Sequence, residues 1–170
     1  AADDLREIAE ARLQITINVS DARTSNSADD VLVTYSLGSC IGVALYDPVA
    51  KLAGLLHFQL PTATLDPQRA TQNPYMFADS GIKQLLAEME SRGGVRRRMK
   101  VRLAGAAQML NDASLFNIGK RNHAAIRKIF WQYGMMIAAE EIGGEIPRTM
   151  YLQAADGAVT IKSKQDTREL

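Results

Sequence analysis

Three strand-like runs in succession, residues 31–37, 40–46 and 51–58, constrain this chain more than any other feature. The second and third are parted by Asp47-Pro48, whose proline suits the second position of a tight turn, so the two runs read as a hairpin. If residues 47–50 connect it through a loop of two or four residues, Tyr46 lies opposite Lys51 and Cys40 lies directly across from His57. That register puts Ile41, Val43, Leu45, Leu52 and Leu56 on one face as a core stripe. Cys40, Gly42, Ala44, Ala53 and His57 share the other face, mostly small and leaving room for something to dock. A loop of odd length would send Cys40 and His57 to opposite faces, because side chains alternate with a period of two.

Elsewhere the punctuation is simpler. Residues 13–19 (LQITINV) alternate like a half-buried strand, and residues 21–30, polar and without periodicity, read as a loop. A second loop covers residues 61–74. Ile82, Leu85, Leu86 and Met89 recur at helical spacing, predicting a helix over residues 75–91 that Gly93-Gly94 ends. Ile118, Ile126, Ile129, Phe130 and Tyr133 mark a second helix, with Asn117 as its expected cap and Gly134 as its close. Strands are expected at 99–103 and 135–139, and at 149–155 and 158–162 around a two-residue Asp156-Gly157 turn. The sum is α+β or mixed α/β, mostly strands with two principal helices. Residues 1–170 read as one domain with 1–12 as a lead-in, in which a short helix near residues 5–13 is one option.

Composition narrows the function classes. A net charge of +1 argues against general nucleic-acid binding, which relies on a basic excess. One cysteine excludes an intrachain disulfide, and two histidines are too few for a structural zinc site, so neither a metal nor a cofactor is expected. No apolar stretch approaches the ~20 residues of a membrane span, and residues 1–12 lack the apolar core of a signal peptide, so the expected compartment is the cytoplasm. Glu140 and Glu141 are strand neighbours pointing to opposite faces, a poor acid/base pair. The basic run 96–100 reads as a solvated turn, or else as a landing patch for an acidic protein.

Cys40 is the remaining candidate. A lone cysteine is usually a small buried hydrophobe. Here Gly38 and Gly42 flank it, leaving the backbone open to close approach, and the register brings it to His57. A thiol beside an imidazole makes a nucleophile, and the imidazole can pass the proton on to a leaving amine. Thr34, in the preceding strand, is a candidate to hold the ring, or else simply a β-branched strand residue. His123 reads as surface or structural.

The run from Thr34 to Pro61, with L-G-S-C at 37–40 and H-F-Q-L-P at 57–61, resembles the CheD family of chemoreceptor glutamine deamidases. L-A-G-A-A-Q-M-L at 103–110, N-I-G-K-R-N at 117–122, and Gly143-Gly144 followed by Arg148 extend the resemblance along the chain. It implies Cys40 as nucleophile, His57 as its histidine and Thr34 as the third member, with backbone N–H groups near Gly38, Ser39 and Cys40 holding an oxyanion. It further implies a layered α/β sandwich related to bacterial toxin deamidases, and hydrolysis of glutamine side chains on the cytoplasmic domains of chemotaxis receptors. The phosphatase CheC is an implied partner. Ala106 and Pro147 stand where the family usually has glycine, and Gln59 where it often has methionine, departures that bear on surfaces before chemistry. Two rival readings are a non-enzymatic module binding CheC or receptors, and a different thiol hydrolase built on a nucleophile elbow. The second ranks low because that architecture places an acidic residue between nucleophile and histidine on separate strand ends, and here His57 follows Cys40 by only 17 positions.

Overall fold

A computed structural model describes residues 13–109, 117–164 and 166–170. The chain forms two five-stranded sheets and a layer of helices. One sheet has the order β1 (Leu13–Thr16), β3 (Asp30–Leu37), β8 (Arg148–Gln153), β9 (Val159–Lys162), β10 (Thr167–Glu169). The other runs β2 (Asp21–Ser25), β5 (Leu52–Phe58), β4 (Ile41–Asp47), β6 (Lys100–Gly105), β7 (Ile137–Ile142). Only β1/β3 and β6/β7 pair in parallel, so the mixed, mostly antiparallel reading holds. The helices are α1 (Pro67–Gln72), α2 (Ala78–Ser91) and α3 (Ile118–Gln132), the last two being the expected pair.

Strands β4 and β5 are buried along their whole length on both faces. Ile41, Val43, Leu45, Leu52, Leu56 and Phe58 pack against Ile82, Leu85 and Leu86 of α2 and Ile126 and Phe130 of α3. The core stripe is therefore where the alternation placed it. The opposite face meets the first sheet, with Ala44, Ala53 and Leu55 against Leu32, Leu37, Met150 and Leu152. The small residues there receive a sheet and leave no open dock: a Cβ on Gly42 would sit 2.9 Å from the Met150 sulfur.

Several expectations are corrected. The hairpin loop is residues 48–51, so Asp47 pairs with Leu52 and His57 lies opposite Gly42, two positions from the expected Cys40. A shift of two keeps the parity of the paired residues; Cys40 itself precedes β4, in the bend at 38–40, and packs partly buried against the cluster that holds Ala44, Ala53 and Leu55. The polar stretch 21–25 is strand β2, held to β5 by its backbone with only Ala22 and Ser25 turned inward. Residues 63–65 and 67–72 of the expected second loop form helical turns, started by Thr62 and Asp66 side chains that accept backbone N–H bonds. Asn117 does not cap α3: its φ is 43° and its side chain makes no capping bond. Beyond β8 the chain turns through residues 154–157, four in place of two, with Gly157 N–H donating to Gln153 O. The expected strand at 135–139 is observed as Ile137–Ile142, and β10 had no expectation. The N-terminal helix option and part of the 103–110 motif lie outside the described residues.

Candidate functional site

The two sheets meet at one end of β4 and β5, and the expected residues gather there from both. Thr34 comes from β3 of the first sheet, His57 from β5 of the second. Both are fully buried. The pairing of β3 with β8 breaks between Thr34 and Leu37, where Ser36 takes a φ of 58°. Such bulges bend a strand, and this one carries the chain out of one sheet, through Gly38–Cys40, and into β4 of the other.

The proton inventory around His57 fixes its tautomer. Thr34 Oγ1 lies 2.8 Å from the Ile17 carbonyl and 2.7 Å from His57 Nδ1. A carbonyl only accepts, so the hydroxyl proton goes to Ile17, and Thr34 then accepts from Nδ1–H. The Nε2 atom is left with its lone pair, buried and without a hydrogen-bond partner among the described residues. Burial pushes the His57 pKa down to about 4, so the ring is neutral at pH 7. A neutral ring of this kind accepts a proton through Nε2.

The segment bearing Cys40 is clamped through its carbonyls. Gly38 O accepts from Ala107 N–H at 2.8 Å, Ser39 O from Asn122 Nδ2 at 3.0 Å, and Cys40 O from Ala106 N–H at 2.9 Å. Asn122 Nδ2 also donates to Gln59 O at 2.8 Å, so one buried amide ties the residue before Cys40 to the strand end that carries His57. Sequence reasoning did not assign Asn122 a role. The signal was present: it interrupts the buried stripe of α3, formed by Gly119, Ile126, Ile129 and Phe130. Gly105 is required because its φ is 123° and a Cβ there would stand 2.2 Å from Cys40 O. Arg148 supports this backing, donating to Gly105 O at 3.1 Å and Gly143 O at 2.6 Å while pairing with Glu141 at 2.9 Å. Cys40, Ser39 and Gly38 are themselves half-buried.

His123 pairs with Glu140 at 2.9 Å near the surface, and Glu141 turns instead to Arg148 and Arg168. Among the described residues no cluster of His, Cys, Asp and Glu is suited to hold a metal ion, and no helix is long and apolar enough to cross a membrane.

Comparison with known proteins adds a family. A family model described as "CheD chemotactic sensory transduction" matches residues 59–163. A protein of Solibacter usitatus named "Probable chemoreceptor glutamine deamidase CheD" is 44% identical over 157 residues, covering 92% of this chain and 93% of its own. One from Syntrophus aciditrophicus, named "Probable chemoreceptor glutamine deamidase CheD 1", is 44% identical over 149 residues, covering 88% of this chain and 93% of its own. Among solved structures, Neisseria meningitidis protein NMB0706 matches with a TM-score of 0.48 and 12% identity, over 84% of this chain and 67% of that one.

Proposed function

This chain belongs to the CheD family, and from that premise we propose that it deamidates glutamine side chains on chemotaxis receptors by cysteine chemistry. The observation that carries the reading is the Thr34–His57 contact, which holds a neutral buried imidazole with Nε2 unoccupied, while Cys40 packs partly buried against the cluster on that side of β5.

Neutral His57 takes the thiol proton of Cys40 at Nε2 as the sulfur attacks the side-chain carbonyl carbon of the glutamine. The oxyanion that forms is met by backbone N–H groups of the Gly38–Cys40 segment, whose carbonyls are already committed to Ala106, Ala107 and Asn122. His57, now protonated, gives its proton to the departing nitrogen; ammonia leaves and a thioester remains. Water, deprotonated by His57, attacks the thioester carbon. Collapse of that adduct breaks the C–S bond, the thiolate regains its proton from His57, and glutamate is released. Thr34 keeps Nδ1 protonated throughout, and its own bond to Ile17 O prevents it from donating to the ring. The site of action is the cytoplasmic part of the receptor, and CheC phosphatase is a proposed partner on the same family premise.

The test is to incubate a purified receptor cytoplasmic fragment with wild type or Cys40→Ala and to measure ammonia and peptide masses. Ammonia release and conversion of glutamine to glutamate are expected with wild type alone. Equal conversion by both proteins would contradict cysteine catalysis, and no conversion by either would favour the non-enzymatic module.

A further inference from the structure

Helix α3 carries four cations, Lys120, Arg121, Arg127 and Lys128, and no acid along its 15 residues, in a chain whose net charge is +1. All four are exposed, and none has an ion-pair partner among the described residues. A merely solvated helix face usually mixes its charges, and this one does not. Near its end stands Trp131, 81% exposed and the only tryptophan of the chain. Arg121, Ala124, Ala125, Lys128 and Gln132 recur at helical spacing along a groove of about 430 Å³ that Pro61 and Thr62 also line. The carboxylate in that groove, Asp79, is already engaged by the Thr62 hydroxyl and the Ala63 N–H. The groove is tied to the reaction site: Pro61 follows His57 by four residues, and Asn122, beside Arg121, holds Ser39 O and Gln59 O.

We propose that this face of α3 is the docking surface for an acidic helix of the substrate protein, resting on the deamidase reading above. From residue 121 to 132 the strip is ~16 Å long, about three turns of a partner helix. The two alanines let that helix approach closely while Arg121 and Lys128 meet its carboxylates, and Arg127 and Trp131, outside the groove lining, stand beside Lys128 at its rim. Docking there brings a glutamine beyond the acidic stretch past Pro61 and Thr62 toward the segment that carries Cys40. Charge contacts of this kind govern encounter and partner choice and weaken with salt.

The lone tryptophan gives a readout independent of turnover. Titrating a receptor cytoplasmic fragment into wild type should shift Trp131 emission to the blue, and raising salt should abolish the shift. Arg121→Glu with Lys128→Glu should weaken that binding by about tenfold or more and raise KM with little change in kcat. Lys162→Glu with Lys164→Glu, the same charge change at and just beyond the end of β9, should do neither. Turnover without an emission shift, or equal effects of both double variants, would overturn the docking surface while leaving the deamidase reading intact. An emission shift without turnover would keep the surface and overturn the deamidase reading. An equal shift with phosphatidylglycerol vesicles or a DNA duplex would show a general anion surface and overturn the proposal.

Discussion

The β4–β5 hairpin has two ends, and they treat buried polar groups in opposite ways. At the turn, Asp47 is fully buried, yet its carboxylate is saturated by Arg98 at 2.8 Å and by the N–H groups of Val95, Val49 and Ala50. Burial opposes ionisation there, but those donors outweigh it and hold the Asp47 pKa down to about 2. At the other end His57 Nε2 and Asn122 Oδ1 are buried without hydrogen-bond partners among the described residues. A buried polar atom left open costs about 1–3 kcal/mol, a cost that the proposed role of His57 Nε2 as a base accounts for. One end secures the hairpin, and the other holds an acceptor in waiting.

Substitutions should separate the ends by what they damage. Thr34→Val removes the hydroxyl with little change of shape and leaves His57 Nδ1–H without its acceptor. Turnover is expected to fall by about 10²–10⁴-fold, the usual worth of a positioned acid–base group, with a smaller loss of stability. Steady-state kinetics beside a denaturant melt checks both. Asp47→Asn should do the reverse: about 3 kcal/mol less stability from the uncompensated Arg98 and strained turn, with near-normal kcat at temperatures where the protein stays folded.

Acid should reach the two ends in sequence. The folded pKa of His57 lies below its ordinary 6.5, at about 4, so the unfolded chain takes up the proton first. Stability conferred by the neutral ring is complete above about pH 6.5 and declines as pH falls toward 4, by up to about 3 kcal/mol. Asp47 contributes in a lower window, complete above about 3.8 and lost as pH falls through 2. Chemical denaturation across pH should show both steps in wild type, with the upper one absent in His57→Gln. The smallest effect belongs to the backing loop. Ala106 holds a φ of 53°, a left-handed conformation that costs an alanine roughly 1 kcal/mol, so Ala106→Gly should raise stability by about that amount.

What sequence disclosed and what it hid follow the same physics. Period-two alternation in β4 and β5 and the helical spacing of Ile82, Leu85, Leu86 and Met89 exposed the core faces, because burial writes itself into residue type. Parity was legible too: Val43, Leu45, Leu52 and Leu56 keep the core face expected of them although the register is shifted by two. The register itself depends on whether Asp47 belongs to the strand and Lys51 to the loop, and Lys51, at a φ of 53°, is not a residue that announces a left-handed turn. Strand β2 was hidden because its hold on β5 is backbone bonding, which leaves no apolar signature. From the residues alone Thr34 stood out only by its place in the preceding strand; the resemblance made it the third member. That it reaches His57 from the other sheet depends on packing no local pattern encodes.

The imidazole itself offers the most direct measurement. With only two histidines in the chain, and His123→Gln to assign them, nitrogen-15 NMR can follow each ring nitrogen against pH. The expected result is a His57 that is protonated at Nδ1, bare at Nε2, and neutral until the pH approaches about 4. A proton resident on Nε2, or a His57 that titrates near the ordinary 6.5, would contradict the held, waiting base on which the proposed chemistry depends.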